Sequence, residues 1–271
     1  IRNCPVRALT GFGVENMSHL QINNLSKSFG GLSAVLEFDF TISQQELVGL
    51  IGPNGAGKTT VFNLITGVYK PDQDKIYLEG KDITGLPPYD ICKKGIARTF
   101  QNIRLFNDLS VLDNVKIALH TDVPYSLSAS VLRLPSFFRG EEKMHQQALE
   151  YLKIFGLDTI KDEIASSLPY GEQRRLEIAR ALATRPTLLI LDEPAAGMNP
   201  NETKELMELI NWIRDEFNLT ILLIEHDMSL VMGVCERIYV LDYGQIIAEG
   251  IPEEIRNNKR VIEAYLGEEV G

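Results

Sequence analysis

Gly52-Pro-Asn-Gly-Ala-Gly-Lys-Thr-Thr60 is the stretch on which the reading of this chain turns. Gly52, Gly57, Lys58 and Thr59 fit the spacing G-x-x-x-x-G-K-[ST]. A short apolar run, Leu47 to Ile51, precedes the loop and reads as a strand. Val61 to Thr66 follows, apolar at helical spacing and ended by Gly67. Strand, glycine loop and helix in this order make a phosphate cradle. Gly55 and Gly57 let the backbone curl so that its N–H groups converge on an anion, and the helix N-terminus adds a partial positive charge. Pro53, Asn54, Ala56 and Thr60 complete the cradle. Lys58 is long enough to reach terminal phosphates, and the Thr59 hydroxyl is suited to ligate Mg2+.

The chain has 271 residues, 44% hydrophobic and 24% charged, which is ordinary globular composition with enough length for a large core. Its net charge of −10 argues against nucleic acid as a partner, because phosphate backbones need clustered Lys and Arg. A nucleotide needs only a local positive pocket. Three scattered cysteines, Cys4, Cys92 and Cys235, show no metal spacing and fit a reducing cytoplasm. No apolar run approaches the length of a membrane-spanning helix, so membrane association is expected to come through a partner.

Residues 1–17 show no clear period and are expected to be an extension outside the fold, non-native or disordered. From there alternation begins. His19 to Asn23 and Ala34 to Ile42 read as strands around a turn at Phe29-Gly-Gly31. Lys75 to Leu78 is a strand with a hairpin return through Gly80 to Gly85, so a small antiparallel sheet is expected beside the main one. Pro87-Pro88 marks a break, and Ile96 to Phe100 is a short strand ending at Gln101. Ser110 is a plausible cap for a helix from Val111. Glu141 to Phe155 carries Met144, Ala148, Leu149, Leu152 and Phe155 on one face. The range 86–170 is therefore expected to be a mostly helical insertion. Beyond it come a helix over Gln173 to Thr184, with Leu176, Ile178, Ala179 and Leu182 inward and Arg174, Arg175, Arg180 and Arg185 on its remainder. Leu188 to Leu191 is a continuous apolar run, as a strand covered on both faces should be, and Thr220 to Ile224 reads as a second fully buried strand. Strands alternating with helices predict an α/β fold with a mostly parallel sheet, and short helices are expected over 252–267.

In such sheets ligands gather at the carboxyl ends of the strands. Three buried strands end there in polar residues: the cradle itself, Asp192-Glu193, and Glu225-His226. Asp192 is the candidate Mg2+ ligand beside Thr59, and Glu193 the candidate general base. His226 is placed to sense a terminal phosphate. Gln101, between a strand and the helical insertion, is suited to touch Mg2+ or the attacking water. Gly171 and Glu172 open a second helix N-terminus fit for a phosphate, and the spacing leaves open whether it serves the same nucleotide.

Taken together these motifs resemble the ATP-binding subunits of ABC transporters over about residues 18–267. Gly52–Thr60 is similar to the Walker A loop, Leu188–Glu193 to the Walker B strand, Gln101 to the Q-loop glutamine and His226 to the switch histidine. Phe29 falls where that family places an adenine-stacking aromatic. The family's usual signature, Leu-Ser-Gly-Gly-Gln, is here Leu168-Pro169-Tyr170-Gly171-Glu172, so Pro169 removes a serine hydroxyl and Tyr170 replaces a glycine. Asn199 stands where Asp is commoner. These departures, with Arg174-Arg-Leu-Glu-Ile-Ala-Arg180 and Glu193-Pro-Ala-Ala-Gly-Met-Asn-Pro200, look like the branched-chain amino acid importer ATPases.

The resemblance implies a P-loop core with an antiparallel β subdomain and an inserted helical subdomain, forming one ATPase domain over 18–268. It implies ATP and Mg2+ as ligands, and hydrolysis of ATP coupled to amino-acid import. The implied partners are integral membrane permease subunits, a second ATPase subunit bound head to tail, and indirectly a substrate-binding protein. The implied place is the cytoplasmic face of the cell membrane. The alternatives are the motor of a related system for urea, other amino acids or lipopolysaccharide, and a soluble ATPase of DNA repair or translation. The acidic charge and the lack of a coiled-coil insertion disfavour the last. Gln44-Gln45-Glu46 and Asp72-Gln-Asp74 lack the turn glycines usual in relatives.

Overall fold

The computed structural model describes residues 18–120 and 127–266. The expectation for residues 1–17 lies outside them. Three largely apolar strands of five residues form the centre of a six-stranded sheet: β3 (Leu47–Ile51), β7 (Leu188–Asp192) and β8 (Thr220–Ile224). β6 (Ile96–Arg98), β9 (Arg237–Asp242) and β10 (Gln245–Gly250) complete it in the order β10-β9-β3-β8-β7-β6. All but β10 are parallel.

The central strands are continuously apolar because successive side chains enter different cores. Leu189, Leu191, Ile221 and Leu223 face one core, shared with α6 (Tyr170–Ala183), α7 (Pro200–Phe217) and α8 (Met228–Val234). Leu188, Ile190, Leu222 and Ile224 face the other, shared with α1 (Lys58–Ile65) and an antiparallel sheet. That sheet has the order β2-β1-β4-β5, built from β1 (Ser18–Phe29), β2 (Leu32–Ser43), β4 (Gln73–Leu78) and β5 (Lys81–Asp82). The two sheets are pinned by Arg237, which donates to the Thr41 carbonyl at 2.9 Å and to the Glu46 carboxylate at 2.8 Å.

The stretch 86–170 is not helical throughout. Pro87 and Pro88 start α2 (Pro88–Lys93) rather than only breaking the chain, since proline's missing N–H costs nothing in the first turn of a helix. β6 then joins the main sheet beside β7. Only after it do α3 (Val111–Leu119), α4 (Leu127–Val131) and α5 (Pro135–Ile154) form the helical layer, with α3 and α5 packed on α6. Ser110 caps α3 by accepting the Asp113 amide at 3.0 Å. The C-terminal helices are α9 (Pro252–Arg256) and α10 (Lys259–Leu266). Two of the turns without glycine put an ordinary residue at positive φ: Gln45 at 62° and Asp74 at 65°.

Candidate active site

β3 delivers the chain into the cradle, and the cradle is held from outside by the turn between β9 and β10. The Gly244 amide donates to the Ala56 carbonyl at 2.8 Å, and the Leu36 amide of β2 donates to Gly244 at 2.9 Å. A side chain at Gly52 would overlap the Leu241 carbonyl, so that glycine is required by the protein's own packing. Gly55 is different: its φ is 76° and nothing lies within 4 Å of where its Cβ would be. It faces open space, as an approach path for a ligand must. Lys58 is buried at the first turn of α1, and its ammonium donates to the Pro53 carbonyl at 2.9 Å and to that of Gly52. Thr59 and Asn54 are exposed at the mouth, while Pro53 and Ala56 are buried beneath it and Thr60 is half-buried.

The strand register places the other groups. Leu50 and Asp192 both stand opposite Ile224, so the ends of β3 and β7 are two strand spacings apart, about 10 Å. Asp192 is partly buried, and its carboxyl is pushed up to about 6, first by burial and then by the charge of Glu193. A carboxylate so disfavoured as a free anion gains from a bound cation. Among the described residues no group of three or more His, Cys, Asp or Glu could hold a metal alone. Few protein oxygens completed by water and phosphate is how Mg2+ is usually bound, so Asp192 and Thr59 fit that ion.

Glu193 breaks from the strand at a φ of 44°, a conformation costing about 1–3 kcal/mol outside glycine. Its amide donates to the Ile224 carbonyl at 2.8 Å, which holds the turn in place. Through this turn its carboxylate meets two side chains from elsewhere in the chain. Gln101 Nε2 donates to Glu193 Oε2 at 2.6 Å, and His226 Nδ1 lies 3.5 Å from the same oxygen. Residues far apart in sequence thus share one carboxylate. Glu225, wholly buried, supports the group: it accepts the amides of Ala195 at 3.0 Å, His226 at 2.9 Å and Asp227 at 3.1 Å. In the sequence Glu225 reads only as a polar strand end, and its signal is a charge directly following four apolar residues, Ile221 to Ile224.

Phe29 ends β1 half-exposed, edge-on to Tyr69 at 5.1 Å. Gly171 and Glu172 lie inside the first turn of α6, which begins at Tyr170 and so three residues earlier than expected. Pro169 is its N-cap, and no side chain caps it. Gly171 faces Glu202 in the first turn of α7.

Arg174 corrects the sequence reading most. Placed on the outer side of its helix by charge alone, it is wholly buried. Its guanidinium donates to the carbonyls of Phe100 at 2.7 Å and Gln101 at 2.9 Å, and to Glu177 at 2.8 Å. Burial is tolerable because the charge is paired and hydrogen-bonded. Glu177 is buried with it, and burial pushes its carboxyl up despite the neighbouring arginines. The visible signal was an Arg and a Glu three apart on one helical face.

A phosphate cradle, a strand-end acid and a carboxylate contacted by an amide and an imidazole define a nucleoside triphosphatase of the P-loop class. The model of the family described as "ABC transporter" matches residues 35–196, and that of the "Branched-chain amino acid ATP-binding cassette transporter" matches residues 245–271. The chain is 51% identical over 249 residues to the high-affinity branched-chain amino acid transport ATP-binding protein LivG of Escherichia coli (strain K12), covering 92% of this chain and 98% of that one. It is 47% identical, with the same coverage, to the corresponding BraF of Pseudomonas aeruginosa. The crystal structure of an ABC transporter's ATP-binding cassette in its ADP conformation superposes with a TM-score of 0.81 at 32% identity, covering 93% of this chain and 99% of that one. The chain belongs to the ABC transporter family, as an ATP-binding, ATP-hydrolysing subunit. Membership implies a dimeric ATPase and a membrane permease as partner. Among the described residues no helix is long and apolar enough to cross a membrane.

Proposed function

We propose that this chain hydrolyses ATP at the cytoplasmic face of the membrane to drive import of branched-chain amino acids through a permease. The observation that carries hydrolysis is the meeting of Gln101 and His226 on the Glu193 carboxylate. The transported class is supported by the names of the LivG and BraF relatives.

In this reading residues 18–268 act as one ATPase domain. The cradle Gly52–Thr60 holds the polyphosphate through backbone N–H groups and Lys58, and the Phe29 ring stacks on the base. Glu193 takes a proton from the attacking water, Gln101 orients that water, and His226 contacts the terminal phosphate. Thr59, Asp192 and Gln101 would hold Mg2+, which supplies charge neutralisation at the phosphate oxygens. Gly171 and Glu172 serve the ATP of a second chain, because Gly171 faces α7 and not its own cradle. The dimer is then head to tail, and each ATP sits between two chains.

A cavity of about 520 Å³ runs between α2 and β6 on one side and α3 and α6 on the other, lined by Ile91, Arg104, Phe106, Ile117 and Arg180. It adjoins the Gln101 segment, so a permease seated here would feel the nucleotide. A binding protein outside the cell delivers substrate to that permease, and nucleic acid plays no part.

The test is co-purification with the permeases encoded beside this chain, followed by ATPase assay with a leucine-loaded binding protein. The reading expects stimulation. Recovery of a lipid-export or urea permease would reject the substrate, and recovery of ribosomes or DNA would reject transport altogether.

A further inference from the structure

Tyr170 occupies the position where the family's usual signature carries glycine, and its hydroxyl has a defined partner. Arg174 Nη2 donates to Tyr170 Oη at 3.1 Å, and the same Nη2 donates to the Gln101 carbonyl at 2.9 Å. The rest of the guanidinium holds the Phe100 carbonyl and Glu177, while Glu177 Oε1 accepts the Arg104 amide at 3.1 Å. The segment from Phe100 to Arg104 is thereby fastened at three backbone points to two buried charged side chains of α6. Gln101 projects its amide from this segment onto Glu193. The other side of Tyr170 meets the loop beyond Glu193: a Cβ at Gly197 would lie 3.9 Å from its ring.

We propose that Tyr170 is a positioning residue for ATP hydrolysis, acting through Arg174 to hold Gln101 on Glu193. Tyr170 is 43% exposed in the first turn of α6, at the loop assigned above to a second chain's nucleotide. A ligand pressing on that turn therefore bears on the hydroxyl that orients Arg174, and through it on the chain's own general base. The inference rests on the hydrolytic reading of Glu193. It gives Tyr170 a task that glycine at this position could not perform.

The test uses the full chain and Tyr170→Phe, which keeps the ring against Gly197 and removes only the hydroxyl. Loss of a hydrogen bond to a charged group is expected to lower kcat by roughly 10- to 150-fold. The KM for ATP and the thermal midpoint should change little. Introduced into Gln101→Ala, the same substitution should lower kcat no further, because its route is already cut. Amide hydrogen exchange in a peptide spanning 100–104 should quicken in Tyr170→Phe. Unchanged kcat, or an equal fold-loss with and without Gln101, would overturn the proposal. Exchange over 100–104 identical to wild type would overturn it as well, even if the wild-type chain hydrolyses nothing, an outcome that would itself reject the ATPase reading.

Discussion

The N-terminus of α1 is approached through glycines and buttressed from behind by Gly244. The N-terminus of α6 is approached through Leu168-Pro169 and carries a tyrosine in its first turn. Both offer the partial positive charge and spare N–H groups of a helix start. The first is closed around its ligand path by its own chain, with Lys58 spanning the loop. The second faces away toward α7 and is tied through Arg174 to the Gln101 segment. On the proposed reading, the difference separates a site that grips from a site that reports. Gripping needs backbone freedom and a clear path, hence glycine. Reporting needs a rigid connection to the chemistry, hence buried side chains such as Arg174 and Glu177, bonded to one another and to the backbone.

The comparison breaks most visibly at the gripping site. Glu193→Gln should leave ATP affinity intact and cut turnover by roughly 10²–10⁴-fold, as loss of a general base does. Equilibrium binding and steady-state phosphate release measure the two separately. Unchanged turnover would remove Glu193 from its assigned role.

Asp192 comes next, through stability. Its carboxyl is raised to about 6 in the fold, so the ligand-free protein is favoured by protonation. That contribution is full below the ordinary carboxylate range near 4 and is lost as pH rises through 6. Asp192→Asn should therefore match wild type near pH 4 and exceed it by about 1–3 kcal/mol at pH 8 without nucleotide. It should also lose the added stability that Mg2+ with nucleotide confers. Denaturant titrations at the two pH values check the sign.

At α6 the effects should be smaller. Pro169→Ser restores a side chain able to cap the helix, and should stabilise the protein by about 1 kcal/mol while changing ATPase less than twofold. A large rise in turnover would mean that the backbone at Gly171 and the helix charge are not sufficient. The smallest effect is remote from both sites. Gln45→Gly relieves a positive φ and should raise stability by at most about 1 kcal/mol, leaving ATPase unchanged.

Much of the cradle side is legible in the sequence. Gly52–Thr60 announces itself by spacing, and Asp192, Glu193 and His226 by following uninterrupted apolar runs. The strained turns at Gln45 and Asp74 were visible as missing glycines. The α6 side was far less legible. Charge argues for an exposed Arg174, and only tertiary placement shows the carbonyls of Phe100 and Gln101 converging on it. β6 has three residues and too little sequence to mark itself as part of the main sheet. The proline pair before α2 carries both a breaking and a starting signal, and local sequence does not choose between them.

The central claim is that the cradle of one chain and the Gly171 turn of another form one ATP site. Mixing two inactive chains tests it directly. Lys58→Ala removes the grip, and Gly171→Asp sets a negative charge at the α6 N-terminus where phosphate would lie. A head-to-tail pair made of one of each still contains one site with an intact cradle and an intact turn. The mixture should release phosphate at a rate that neither chain shows alone. A mixture as inactive as its components would contradict a site shared between chains.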